Sequence, residues 1–195
     1  MSTLWLVRHL ATGAHPARLV GSTDLPLAAP AEAEDLAARL GPGIRPRTRV
    51  VCSDLRRAVE TARPLAHQLQ SDLHLTQALR EMDFGAWEGL TWDEVAERDP
   101  ERHAAWFAAW ETTRAPGGES LADVRARVQA WWREEEAGPA PSTDDLVIVA
   151  HATPLRVLAE HISGESMDVL LARALPRGGW WTLRRGAADA PERST

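Results

Sequence analysis

Two apolar runs in this chain each end abruptly in a histidine. Leu4-Trp5-Leu6-Val7 runs into Arg8 and His9, and Leu146-Val147-Ile148-Val149-Ala150 runs into His151. Both runs have the length and β-branched content of a buried strand. In an open α/β sheet, ligands gather beyond the carboxyl ends of the parallel strands, so a strand ending in Arg-His aims both side chains at that crevice. Arg57 follows a third apolar run, Arg49-Val50-Val51-Cys52, and Glu81 lies in a stretch from Arg80 to Gly89 that mixes carboxylates, aromatics and glycines. Together these two imidazoles, two guanidiniums and one carboxylate suit phosphoryl transfer, where catalysis is mostly positioning and charge stabilisation. Guanidinium forks engage two oxygens at once. A neutral imidazole serves as nucleophile when its other ring nitrogen is fixed by a hydrogen bond. A carboxylic acid protonates the departing oxygen and then activates water.

A zinc site gathered from His9, His15 and His151 is the competing arrangement. Guanidinium charge beside a ligand repels a dication. The chain also has no helical His-x-x-x-His pair and no phosphate-binding glycine loop ending in lysine. The expectation is therefore no metal and no cofactor.

The elements that must position these residues repeat one design, strand then helix. The segment Leu10 to Leu27 reads as a long loop beside the first strand, and loops of that length in compact domains usually shape a site. A helix starts at Pro30 and stops at Gly41-Pro42-Gly43. After Cys52, Ser53-Asp54 is expected to cap a helix with Leu55, Ala58, Val59, Ala62, Ala66 and Leu69 on one face. Arg56 and Arg57 then fall in its first turn, where the helix dipole disfavours cations unless an anion binds there. Leu73 to Leu79 reads as a short strand. Thr91 with Glu94 and Ser120 with Asp123 are capping boxes, the second opening a helix with Leu121, Val124, Val128 and Trp131 inward. Trp106, Phe107 and Trp110 form an aromatic cluster between them, read as local core. Thr153-Pro154 is expected to start the helix after His151, as cap and first-turn proline. Gly179 to Arg184 reads as a final strand. The fold class expected is a three-layer α/β/α sandwich with a mostly parallel central sheet and a small helical cap insertion at about residues 83–120. One domain over 1–185 and a disordered tail at 186–195 complete it.

The 195 residues suffice for one continuous core without disulfide support. Cys52 is the single cysteine, which excludes an internal disulfide and suits a buried strand position. A net charge of -6 argues against nucleic acid as partner. No apolar run reaches membrane-spanning length and no basic leader precedes the first strand, so a cytoplasmic location without membrane attachment is expected. The sequence is compatible with a homodimer. Every basic residue apart from histidine is arginine, so any side-chain cation holding phosphate is a guanidinium.

In this setting the chain resembles the histidine phosphatase superfamily, the phosphoglycerate-mutase-like proteins. Leu6-Val7-Arg8-His9 resembles its Arg-His-Gly signature, and Ser53 to Ala62 resembles the helix that supplies its second arginine. Leu79 to Gly89 is similar to its acid-bearing loop, and Val149-Ala150-His151 to its second histidine. Four such segments in the family's order make the match specific. The resemblance implies that His9 is phosphorylated in turnover, that Arg8, Arg57 and His151 hold the phosphoryl oxygens, and that Glu81 is the proton donor. It places Thr12, His15, Ser22 and Thr153 as substrate-binding positions. Gly21 to Leu27, Phe84 to Asp93 and Pro116 to Ser120 look most like the α-ribazole phosphatase branch of cobalamin biosynthesis, which implies a small phosphorylated metabolite as substrate. Phosphoglycerate-mutase-type transfer and non-catalytic phosphate binding are the alternatives. The chain departs from the family at Leu10, usually Gly, at Ala11, where an acid is common, and at His15, where Asn is frequent. Ser22 stands where an Arg often lies, and Ala152-Thr153 replaces Gly-Gly. Leu10 is expected to narrow the pocket.

Overall fold

The computed structural model describes residues 2–138, 145–184 and 192–193. In chain order these form β1 (Thr3–Arg8), α1 (Glu32–Leu40), β2 (Arg49–Ser53), α2 (Arg56–Gln68), β3 (Leu73–Thr76), α3 (Trp92–Arg98), α4 (Pro100–Ala109), α5 (Leu121–Ala137), β4 (Leu146–Ala150), α6 (Ala152–Ser163), α7 (Met167–Ala172), β5 (Trp180–Arg184) and β6 (Glu192–Arg193). The strands make one sheet in the order β3-β2-β4-β1-β5-β6. Its first four strands are parallel, while β5 runs antiparallel to β1 and β6 antiparallel to β5.

Period-two alternation divides the core into two layers. Leu4, Leu6, Val51, Ile148, Ala150 and Trp181 face one side and meet Val124, Val128 and Trp132 of α5 and Leu155 and Leu158 of α6. Val7, Val50, Cys52, Val147 and Val149 face the other side and meet Leu36 and Leu40 of α1 and Leu65 and Ala66 of α2. Helices thus cover both faces, which is why the central strands read as continuous apolar runs. Cys52 is wholly buried, and burial first, then the charge of Asp54, pushes its thiol up to about 12. Trp87, Val95 and Trp106 join the α5/α6 layer, so the aromatic cluster is continuous with the main core while Phe107 stays half exposed.

Four local expectations are corrected. Ser53 and Asp54 do not cap α2; its N-cap is Leu55, without a side-chain cap. Asp54 is taken by Arg80 in a bidentate pair at 2.6 and 2.7 Å, and the Asp24 carboxylate accepts from the Arg56 N–H at 2.6 Å instead. A carboxylate therefore compensates the two arginines at that helix start. Next, α6 begins one residue before Thr153-Pro154, with His151 itself in the N-cap position. Only Leu73–Thr76 of the expected Leu73–Leu79 strand is extended; Gln77–Leu79 is a 3-10 turn. In the tail, Glu192–Arg193 pair with β5 rather than being disordered, and its other residues lie outside the described set. Both capping boxes are formed as read.

Candidate active site

Strand order places the chemistry. Neighbouring strands lie about 4.8 Å apart, so residues just past the ends of β2, β4 and β1 stand in a row. There His151 and His9 follow the last residues of β4 and β1, Ser53 is itself the last residue of β2, and the two imidazole centroids are 4.9 Å apart. The ladder continues one step beyond the strands, with the His9 N–H donating to Ala150 O at 2.9 Å.

Beside them opens a cavity of about 170 Å³ whose wall includes Arg8, His9, Thr12, Arg57, Glu81 and Thr153. Six of the nine residues expected to act there thus line one space. His15 and Ser22 do not; both are exposed. The His15 Nδ1 accepts from Ala17 N at 3.3 Å, and the Ser22 hydroxyl donates to Asp83 at 3.0 Å, so both are committed to partners outside the cavity. The three histidines of the zinc alternative accordingly do not converge.

His9 is almost fully buried, and its Nδ1 lies 2.6 Å from Leu10 O. A carbonyl only accepts, so Nδ1 carries the proton and Nε2 keeps its lone pair. Burial first, then the Arg57 charge, lowers His9 to about 3, which keeps the ring neutral near pH 7. His151 is completely buried and engaged at both nitrogens. Its Nδ1 accepts from Arg57 Nε at 3.2 Å, and its Nε2 lies 3.0 Å from Ser53 Oγ. Burial, then His9 and Arg57, hold it well below the ordinary imidazole value. It stands behind the cavity wall rather than in it. Ser53 and Arg57 engage both of its ring nitrogens.

Arg57 is buried and anchored on three sides. Besides His151 it donates to Thr23 O and Gly21 O, each at 2.7 Å. Two of its five N–H groups are left for a ligand in the cavity. The carbonyls that hold it are set by Glu88, whose carboxylate accepts from the N–H groups of Gly21, Ser22 and Thr23 at 2.9 to 3.2 Å. Gly21 is required there, since a Cβ would sit 1.9 Å from Met82 O. Glu81 is held by its neighbours in turn. Its carboxylate accepts from Met82 N at 2.9 Å and from Thr153 N, in the first turn of α6, at 3.3 Å, where the helix dipole favours negative charge. Arg127 of α5 fixes the loop from behind, donating to Ala78 O at 2.7 Å and Glu81 O at 3.0 Å. Arg8 donates to Leu175 O at 2.8 Å through one terminal nitrogen, and its buried Nε has no partner among the described residues.

Leu10 does not narrow the cavity. Its side chain packs in the α1/α2 layer of the core and against Gly178, while its carbonyl orients His9. Sequence reasoning missed Arg177, Arg18, Leu19, Val20, Pro16 and Phe84 as lining residues. Phe84 and the 16–20 segment belong to stretches already read as site-shaping. Arg177 gave no such signal, because only the antiparallel pairing of β5 with β1 carries it to the site.

An open α/β sheet with two neutral imidazoles, converging guanidiniums and a carboxylate at its carboxyl edge defines a phosphoryl-binding class of site. The family comparison agrees. The profile of the histidine phosphatase superfamily (branch 1) matches residues 4–188, and the chain belongs to that superfamily. It is 44% identical over 109 residues to a bifunctional protein of Mycobacterium tuberculosis (strain ATCC 25618 / H37Rv), covering 56% of this chain but spanning only 29% of that protein's length. It is 30% identical to the adenosylcobalamin/alpha-ribazole phosphatase of Salmonella typhi over 183 residues, 92% of this chain and 89% of that one. Among solved structures, the mycobacterial glucosyl-3-phosphoglycerate phosphatase complexed with VO3 superposes with a TM-score of 0.81 at 28% identity, covering 100% of this chain and 98% of that one.

Proposed function

We propose that the protein is a metal-independent phosphomonoester hydrolase working through a phosphohistidine on His9. The observation that carries this is the His9 ring itself: neutral, its Nδ1–H spent on Leu10 O, its Nε2 without a partner among the described residues, and the residue lining a cavity that Arg8, Arg57 and Glu81 also line. In the first step the Nε2 lone pair attacks phosphorus while the bond to the leaving oxygen breaks. Glu81 gives that oxygen its proton, and Arg8 and Arg57 carry the charge on the phosphoryl oxygens. In the second step water attacks the phosphohistidine and passes its proton to Glu81. The N–P bond breaks, and phosphate departs with His9 restored. His151 acts in this scheme by fixing the Arg57 fork and backing the His9 ring. Residues 83–120, whose Phe84 lines the cavity, form the cap over the leaving group.

For the substrate, the names of the similar proteins support a small phosphorylated metabolite, with α-ribazole 5'-phosphate first among those to try. The test is hydrolysis of an aryl phosphate in the presence of a chelator, with rapid alkaline quench to trap phosphate on the protein. Activity and a base-stable phosphoenzyme are expected, both absent from His9→Ala; activity that survives His9→Ala overturns the scheme. A side-by-side series of α-ribazole 5'-phosphate, glucosyl-3-phosphoglycerate and phosphoglycerates, scored by kcat/KM and by product identity, ranks the substrates and exposes any mutase product.

A further inference from the structure

Four guanidiniums line the cavity, those of Arg8, Arg18, Arg57 and Arg177, and they are not equivalent. Arg18 faces the Glu94 carboxylate at 3.2 Å and also donates to Gly89 O, so its charge is answered within the protein. Arg57 is anchored by two carbonyls and an imidazole. Arg177 differs from both. Its Nε is buried without a hydrogen-bond partner, and no carboxylate pairs with it among the described residues. An unpartnered buried donor on a cation is expensive unless something outside the chain satisfies it.

The backbone around Arg177 is held to the reacting dipeptide. The Gly178 N–H is shared between Arg8 O at 3.0 Å and His9 O at 3.2 Å, and Arg8 N donates to Gly179 O at 2.9 Å. Gly178 has φ +71, and a Cβ there would sit 2.7 Å from the Leu10 side chain, so glycine is required for so close an approach. The turn thus delivers Arg177 next to Arg8, whose own Nε is likewise buried and unpartnered. The charge of Arg177 is felt at Arg8, His9 and Arg57 alike, which locates it in the same electrostatic cluster rather than at a remote rim.

We propose that Arg177 is a third anion-binding guanidinium of the phosphoryl cradle, pairing with Arg8 to hold oxygens of the transferred group. This rests on the phosphohydrolase reading of the same cavity. Both side chains line the cavity, and a phosphoryl group there offers oxygens to the two forks at once. It also suits the charge of the ligand, since these guanidiniums line the space a phosphomonoester dianion would fill.

The experiment uses inorganic phosphate and vanadate as probes, because neither has a leaving group. Arg177→Gln is compared with the parent protein by competitive inhibition and by the rise in Tm that each anion produces. The Ki for both anions is expected to increase about 10- to 100-fold, the cost of one charge-assisted contact, with the Tm of the anion-free protein not lowered. Arg177→Lys, which keeps the charge but loses the fork, is expected to fall between the two and supplies the measurement if the Gln variant does not fold. An unchanged Ki in either folded variant overturns the proposal. A loss seen only as raised KM for substrates with a charged leaving group, with phosphate inhibition intact, also overturns it and moves Arg177 to the leaving-group side. His9→Ala separates the layers: if it retains activity the hydrolase reading fails, whereas an inactive His9→Ala beside an unaltered Arg177→Gln rejects only the role of Arg177.

Discussion

His9 and His151 begin from the same local design, a buried parallel strand that stops at a histidine, and they end as chemically different groups. At β1 the chain turns so that a carbonyl one residue on takes Nδ1–H, leaving Nε2 without a partner among the described residues in a side chain that lines the cavity. At β4 the chain enters α6 directly, the ring becomes the N-cap residue, and neighbours on both sides use both nitrogens. Identical side chains at adjacent strand ends are thus assigned to attack or to support by the next element in the chain, a loop after β1 and a helix after β4. Burial lowers the proton affinity of both rings, so it does not distinguish them; hydrogen bonding does.

The strongest way to break this comparison is to remove each ring in turn. His9→Ala should lower kcat by about 10⁴-fold or more, as loss of a nucleophile does. His151→Ala should cost about 10²- to 10³-fold, the scale of a lost electrostatic partner, and should leave a trappable phosphoenzyme. Equal losses, or no phosphoenzyme in His151→Ala, would show that the two rings share one role. Glu88→Gln probes the support chain at its far end, since Glu88 holds the loop whose carbonyls hold Arg57. It should lower kcat about 10-fold and weaken phosphate binding, whereas Glu88→Asp should recover part of the loss. A smaller and slower effect is in acid stability. The native state holds His9 at about 3 against an ordinary 6.5, and His151 is lowered too, so the unfolded chain binds protons that the native one refuses. Stability contributed by the neutral rings is present above pH 6.5 and is lost as pH falls from there toward about 3. His9→Gln removes one such proton, and its Tm should decline less steeply over that interval; parallel curves would contradict the burial argument. Least affected in activity should be Leu10→Ala. Its kcat/KM should stay within about twofold while the free energy of unfolding drops by about 2 kcal/mol or more, the loss of a buried leucine.

Much of this was legible from sequence because it follows from short-range rules. Apolar runs bounded by polar residues mark β1, β2 and β4, capping boxes mark α3 and α5, and the residue just past each strand falls at the carboxyl edge. The parts that escaped depend on distant pairing or on which way one side chain turns. Arg177 reaches the site only because β5 pairs antiparallel with β1, and a turn of Pro, Arg and two Gly carries no hint of that. Leu10 looked like an obstruction because it comes directly after His9; its position along the chain does not reveal that it turns toward α1 and α2 rather than the cavity. Ser53 and Asp54 had the composition of a cap, yet tertiary partners, His151 and Arg80, outcompeted the helix end for their oxygens. The short helices α4 and α7 lack a sustained apolar period and went unread for that reason.

The single thiol offers a clock for the sheet. Cys52 lies in β2, between β3 and β4, one residue before the serine that meets His151, and it resists ionisation until pH nears about 12. An alkylating reagent can mark it only when the layer of α1 and α2 opens over that strand, so the rate of marking counts openings of the frame behind the two imidazoles. If phosphate slows the clock, occupancy of the cavity is tightening the packing over the sheet, and the strand that never touches substrate is keeping time for the one that does.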